Sequence, residues 1–390
     1  MMGFDLPFHQ LARDRAALAI VWLERSIAAC AGRGSAVYYS RWRRPVMGWY
    51  WPYPETTGYI IDTLLRYARW SDDPAHADRI RTLALDQADW IVSLQYPDGA
   101  LPGSHVDRRG KKPPSVFNTG QMLIGLCAAA DETAASAPEL SAIYLETARK
   151  AADWLARGVD PATGTWTSHA YVKGHSPAYY THVCWPLLEA WKRTGDDAHR
   201  DAAMRVLGTI AAAQCDNGAI RDWGFSPAAK AFTHTIGYTL WGFLESTRVL
   251  REIGGHGAAA DRYIAVATRT AEVMLRKTEL RGRLAAAFDL DWKGETWYAC
   301  LTGNCQMASV WIRLAALHDD PRFLSVALKA LDVVIDAQRL RSLDPNVRGA
   351  IGGSKPLYGR YLFMRYPNWA AKFFVDALMD ADAALARLNS

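Results

Sequence analysis

The chain has 390 residues, half of them apolar, enough for a large core in one big domain or two ordinary ones. A net charge of +5 is too small to argue for nucleic acid, and no segment reaches the roughly 18 continuous apolar residues of a membrane span. Arg13, Asp14, Arg15 and Glu24 interrupt the opening segment, unlike a signal peptide, so a cytoplasmic location is expected.

Apolar residues recur at helical spacing through about a dozen segments, with no convincing strand alternation. In chain order these predict helices near 10–30, 56–70, 75–95, 118–131, 139–157, 178–194, 197–214, 234–253, 258–277, 301–317, 321–338 and 368–386. Two kinds alternate. One kind carries a shared signature, seen in "ALDQADWIVSLQYPDGALPG" (84–103) and in related form at 148–166, 205–220 and 327–340, mostly followed by an Asp/Asn-Gly turn. The other opens on a small or polar cluster: Thr57-Gly58, Thr119-Gly120, Thr181-His182, Thr235-Ile236-Gly237, Thr302-Gly303 and Asn368-Trp369. Successive clusters lie 62, 62, 54, 67 and 66 residues apart.

A period of this length holding two helices predicts stacked helical hairpins, and six of them account for residues 1–390. An open solenoid would need polar caps at both ends. The terminal helices are as apolar as the middle ones, so closure into a ring is expected. The predicted fold is all-α, a single (α/α)6 toroid. The second helix of each pair, richer in Gly, Ala, Cys and bulky apolar residues, forms the inner ring.

The two rims differ. Inner-to-outer connections are short and acidic: "SDDPA" (71–75), "TGDDA" (194–198) and "HDDPR" (318–322). Outer-to-inner connections are long, rich in Trp, Tyr, Gly and Pro, and lead into the positive N-terminal ends of the inner helices. The six long connections carry a net +10, including Arg33, Arg41, Arg43 and Arg44 in the first, while the whole chain carries +5. Positive charge concentrates on that rim, which points to an anionic ligand.

Six cysteines lack any CxxC and read as buried free thiols. There is no HExxH, and His169, His175 and His182 are poorly spaced for chelation, so neither a metal nor a cofactor is expected.

The repeated "ADWIVSLQ…DG" outer helix and the Thr-Gly inner-helix starts resemble the six-hairpin glycosidase superfamily across the whole chain. "YPETTGYI", "VFNTGQMLIGL", "THTIGYTLWGFLE", "LTGNCQMASVWIRL" and "YPNWAAKFF" are similar to a bacterial subgroup found among polysaccharide-processing genes. The resemblance implies an aromatic cleft at the inner-helix N-termini, glycan ligands and carboxylate catalysis. Lyases and sugar epimerases share or neighbour this scaffold, so the fold alone does not select a reaction.

Within "WYWPYPETTGYII", Glu55 follows Pro54 in the first turn of the first inner helix. The resemblance implies that an acid here protonates the leaving oxygen. Crowding by Tyr50, Trp51, Tyr53 and Tyr59 strips hydration from Glu55, which predicts a pKa raised towards neutrality. Hydrolysis needs a second carboxylate, for which Asp222 leads and Asp289 and Asp291 remain open. His182, His234 and Tyr238, with Asn118, Gln121, Asn304 and Gln306, mark further polar inner-helix starts, which equally suit helix capping. Arg348, Ser354, Tyr358 and Tyr361 lie in a Gly-rich segment before the last inner helix, where Arg348 is placed to clamp a carboxylate. Trp369 opens that helix, and Lys372 is expected to pair with Asp376.

The expected function is a metal-independent glycoside hydrolase for an acidic oligo- or polysaccharide. Glu55 acts as acid, Asp222 as base, His182 and His234 orient, and Trp51, Tyr53, Tyr59 and the other aromatics stack on sugars. The alternatives are a uronate lyase or sugar epimerase using His234 and Tyr238, and a non-catalytic glycan-binding toroid.

Overall fold

The structure, a computed structural model, describes residues 5–42, 47–227 and 229–388, with side chains from Phe8 onwards. Arg43 and Arg44 of the first basic connection lie outside the described residues.

Among the described residues, twelve α-helices alternate between two rings. The outer ones are α1 (Asp5–Ala28), α3 (Pro74–Leu94), α5 (Pro138–Arg157), α7 (Asp197–Ala212), α9 (Gly257–Arg281) and α11 (Pro321–Ile335). The inner ones are α2 (Pro54–Trp70), α4 (Val116–Thr133), α6 (Thr181–Thr194), α8 (Thr233–Ile253), α10 (Leu301–His318) and α12 (Asn368–Leu388). Each inner helix packs on the next, and α12 returns to α2, so the ring is closed. The expected (α/α)6 toroid is the observed fold.

The hairpins are phased differently from the sequence reading. Each outer helix from α3 to α11 packs chiefly on the inner helix before it, and α1 packs on α12. Connections of a few residues leave antiparallel helices no other neighbour, whereas the long ones impose none. The acids of the short connections start the outer helices: Asp73, Asp196 and Asp320 each accept a backbone N–H at 3.0 Å from His76, Ala198 and Arg322. The chain ends are joined by His9 Nδ1 and Asp382 Oδ1, 2.7 Å apart.

The small clusters at the inner-helix starts have a steric cause. A Cβ added at Gly58 would lie 2.4 Å from the Met122 Cα of α4, and one at Gly237 would lie 2.8 Å from the Gln306 Cβ of α10. Only residues without a side chain let neighbouring inner helices approach this closely.

The described residues of the long connections hold ten strands of two or three residues, too short to alternate visibly in sequence. β1 (Tyr38–Ser40) lies between β2 (Gly48–Trp49) and β10 (Arg365–Pro367), pairing Tyr39 with Trp49 and with Tyr366. The first and last long connections are thereby bound together. Strands β3 (Val159–Asp160) and β4 (Thr165–Trp166) form a hairpin, β5 (Ala231–Phe232), β6 (Ala287–Phe288) and β7 (Gly294–Glu295) a small sheet, and β8 (Ala299–Cys300) pairs with β9 (Ser354–Lys355).

Much of the Trp excess is core, not cleft. Trp22, Trp166, Trp223 and Trp311 are fully buried. Their indoles also hold backbone in place: Trp22 donates to the Asn346 carbonyl at 2.8 Å and Trp311 to that of Ala271 at 3.1 Å.

Candidate active site

Glu55 occupies the first turn of α2, where the helix dipole and Pro54 favour an acid. The Tyr53 hydroxyl donates to its carboxylate at 2.7 Å. By area Glu55 is only partly covered, yet it sits deep enough among phenols that dehydration dominates. Its pKa is raised to about 7 by burial, against the lowering pull of the Tyr53 hydrogen bond. The charge of Glu55 bears in turn on the phenols of Tyr53, Tyr59, Tyr179 and Tyr238, all pushed upward chiefly by burial. Two neighbours expected from the sequence are turned elsewhere. Tyr50 stacks on Tyr38 at 5.0 Å, and Trp51 is 37% exposed.

Beside this acid, Tyr238 is sandwiched by two imidazoles. Its ring centroid lies 4.6 Å from that of His182 and 4.5 Å from that of His234. Each imidazole Nδ1 meets a glutamine Oε1 on a neighbouring inner helix, His182 with Gln121 at 2.8 Å and His234 with Gln306 at 2.9 Å. The Gln121 amide nitrogen donates to the His182 carbonyl, which leaves its oxygen to accept from Nδ1–H. The His182 ring therefore carries its proton on Nδ1 and presents Nε2 as a bare lone pair. The His182 Nε2 is buried without a hydrogen-bond partner. Burial is the main cause that lowers both imidazoles, His234 to about 4, and the Lys372 ammonium adds to the effect on His182. Neutral imidazoles and a dehydrated acid thus both border Tyr238.

The floor of the site closes the ring axis. The Tyr59 and Tyr238 hydroxyls are 3.4 Å apart, and Phe373 packs against both rings at 5.6 and 5.7 Å. Beneath them Lys372 Nζ pairs with Asp376 at 2.6 Å, as its one-turn spacing predicts. Tyr361 forms a wall, 5.4 Å from His234, with its hydroxyl accepting from Trp369 Nε1 at 2.8 Å.

Other expected site residues lie apart. Asp222 is exposed in a left-handed backbone conformation (φ 58°), its carboxylate 3.9 Å from His175. Asp289 accepts backbone N–H bonds from Asp291 and Lys293, organising its own loop. Among the described residues, no second carboxylate acts on Glu55. Arg348 lies against outer helix α1, where its carbonyl accepts from Arg25 at 2.9 Å. Tyr358 is 60% exposed. Asn304 donates to the Cys300 carbonyl and so serves its own helix start, while Asn118 is buried beside the Tyr53 hydroxyl. Tyr179 and Phe373 belong to the site yet escaped the sequence reading, because nothing in a single chain separates a cavity-facing ring from a core ring. Tyr361 carried the best signal, a tyrosine in a Gly-rich connection leading to an inner helix.

A cavity of about 950 Å³ opens on the opposite rim, between the C-terminal halves of the inner helices. Its walls carry a circuit of ion pairs. Arg66 meets Asp380 at 2.8 Å, Asp380 meets Arg313 at 2.8 Å, and Arg313 meets Glu245 at 2.7 Å. From Glu245 it passes to Arg248 at 2.8 Å, to Glu189, and on to Arg193 at 2.7 Å. Arg193 reaches Asp131 of α4, and adjacent Glu132 returns to Arg69 of α2 at 2.6 Å. Volume favours this mouth, but chemistry favours the other. Here arginines complement C-terminal dipoles and carboxylates, whereas the N-terminal mouth holds an unneutralised acid and free bases. Asp153, Asp196 and His199 form a group of possible metal ligands outside the ring, but His199 and Arg149 already occupy Asp153 at 2.7 Å each.

The fold and the polar inner-helix starts define an (α/α)6 toroid of the kind that six-hairpin glycosidases share. Among solved structures, the chain is similar to an unsaturated glucuronyl hydrolase specific for heparin, at 15% identity over 97% of this chain and 98% of that one (TM-score 0.71). It is similar to the cellobiose 2-epimerase of Spirochaeta thermophila at 14% identity over the whole of both chains (TM-score 0.70). It also resembles an unsaturated glucuronyl hydrolase from a Bacillus species, responsible for glycosaminoglycan degradation, at 15% identity over 95% and 96% (TM-score 0.68). No protein-family model and no curated protein matches the sequence. At these identities the likeness establishes the fold. No described helix is long and apolar enough to cross a membrane.

Proposed function

We propose that the chain is a carbohydrate-active enzyme, a glycoside hydrolase acting on an acidic saccharide with Glu55 as general acid. The observation that carries this reading is the Glu55 carboxyl itself. With a pKa of about 7 it is half protonated at neutral pH, the condition for an efficient proton donor. It gives its proton to the glycosidic oxygen as that bond breaks, and water attacks the sugar carbon. The proton released from water passes to a base. His234, brought by burial to about 4, has the proton affinity of an ordinary carboxylate, so its imidazole fits that task inside the site. Asp222 retains the role only from the rim. The neighbours named for heparin and glycosaminoglycan support an acidic substrate. A cytoplasmic location and independence of metal belong to the same reading.

A second reading rests on Tyr238 between His182 and His234. Two neutral imidazoles flanking a phenol suit removal of a proton from a sugar carbon and its return, as in a lyase or epimerase, and one neighbour is a cellobiose 2-epimerase. Incubation with uronate oligosaccharides separates these. A hydrolase releases new reducing ends without unsaturated-uronate absorbance, a lyase yields both together, and an epimerase exchanges deuterium at one carbon with neither product. New reducing ends without that absorbance are expected. Unsaturated-uronate absorbance, or deuterium exchange with no new reducing ends, overturns the hydrolase reading.

A further inference from the structure

Two aromatic residues outside the site remain unused by this chemistry. Trp42 and Phe363 are 51% and 45% exposed, and their rings meet edge-on at 5.8 Å and 89°. They come from opposite ends of the sequence, held together by the pairing of β1 with β10 and by the Arg41 N–H donating to the Met364 carbonyl at 3.1 Å. Leu362 and Met364, on either side of Phe363, both keep left-handed backbone (φ 54° and 56°), which non-glycine residues rarely do without a reason. This alternation turns Tyr361 down against His234 and Phe363 out against Trp42.

Phe363 is two residues from Tyr361, so the exposed pair begins within about 7 Å of chain from the wall of the site. An edge-on pair leaves one broad ring face open, and the negative face of an aromatic ring suits the polarised C–H bonds of a sugar. Large apolar groups exposed side by side mark an interaction surface. Arg41 and Arg360 are exposed in the same connections, and Arg360 is held by Glu295 at 3.2 Å. In the other direction the ring is closed, because Tyr59, Tyr238, Trp241 and Phe373 fill its axis. With the axis filled beneath it, a saccharide bound beside Glu55 would extend outward over the rim.

We propose that Trp42 and Phe363 form an outer saccharide platform, so that the substrate is an acidic chain of several sugars whose terminal residue enters the site. This rests on the hydrolase reading and adds substrate length and direction to it.

The test is calorimetric titration of Glu55→Gln, with and without Trp42→Ala/Phe363→Ala, using disaccharide and hexasaccharide members of an oligogalacturonate ladder and a glycosaminoglycan-derived ladder. Without the platform substitutions, hexasaccharide is expected to bind about tenfold tighter than disaccharide, the effect of roughly one ring contact. That gain disappears in the double variant but survives Tyr171→Ala, which removes a different exposed ring of the same rim. Unchanged gain in the double variant overturns the platform, as does equal affinity for both lengths or no binding of either ladder. Turnover by the unsubstituted chain is scored separately: an inactive chain whose length-dependent binding needs Trp42 and Phe363 removes the hydrolase reading and keeps the platform.

Discussion

Tyr53 gives its phenolic hydrogen to the carboxylate of Glu55 across 2.7 Å, and it is the one group that offsets the dehydration of that acid. Removing the bond takes stabilisation from the charged form only. In Tyr53→Phe the pKa of Glu55 therefore rises above about 7. The limb of the kcat/KM profile on which the acid is lost should move to higher pH by about one unit. A profile unmoved on that limb would show that the titrating acid is another group.

The same burial has a thermodynamic consequence. The folded pKa of Glu55 is raised above its unfolded value, so its contribution is fully favourable below pH 4.5 and is lost as pH rises through about 7. Glu55→Gln removes the cost of ionising a dehydrated acid. The variant should be more stable than the parent above pH 7, by up to about 3 kcal/mol, less the relief from water reaching the open face of the carboxylate. Below pH 4.5 the two should melt together. Urea denaturation at both pH values checks the sign. A Glu55→Gln variant that is less stable at high pH would mean that the carboxylate is held by a cation.

At the other mouth, Glu245 accepts from both Arg313 and Arg248, at 2.7 and 2.8 Å. Neutralising it leaves two half-buried guanidinium groups short of a partner. Glu245→Gln should cost about 3 kcal/mol in urea denaturation, the scale of a broken buried pair. Because Glu245 belongs to the circuit on the opposite mouth, kcat should fall far less than in Glu55→Gln. A large loss of kcat with unchanged stability would move the chemistry to this cavity.

The toroid was legible because its causes are repetitive. Small residues recur where inner helices cross, and acids recur where outer helices begin. The pairing of hairpins was not, since twelve helices of similar polarity fit either phase and only connection length decides. Within the site, Glu55, His182, His234 and Tyr238 were legible because inner-helix starts converge on the axis. Their partners were hidden by distance in sequence: Gln306 lies 72 residues from His234, and Gln121 lies 61 from His182. Asp222 and Arg348 carried the right chemistry in the right connections, but loop backbone turns one to solvent and the other onto α1. Charge counted along a connection says nothing of the direction in which it points.

The most direct test of the account is the turnover of Glu55→Gln on an acidic oligosaccharide that the unsubstituted chain cleaves. The amide keeps the shape and the Tyr53 neighbour but has no proton to give. The expected result is a fall in kcat of about 10²–10⁴ with the fold intact. Full activity in Glu55→Gln would contradict it.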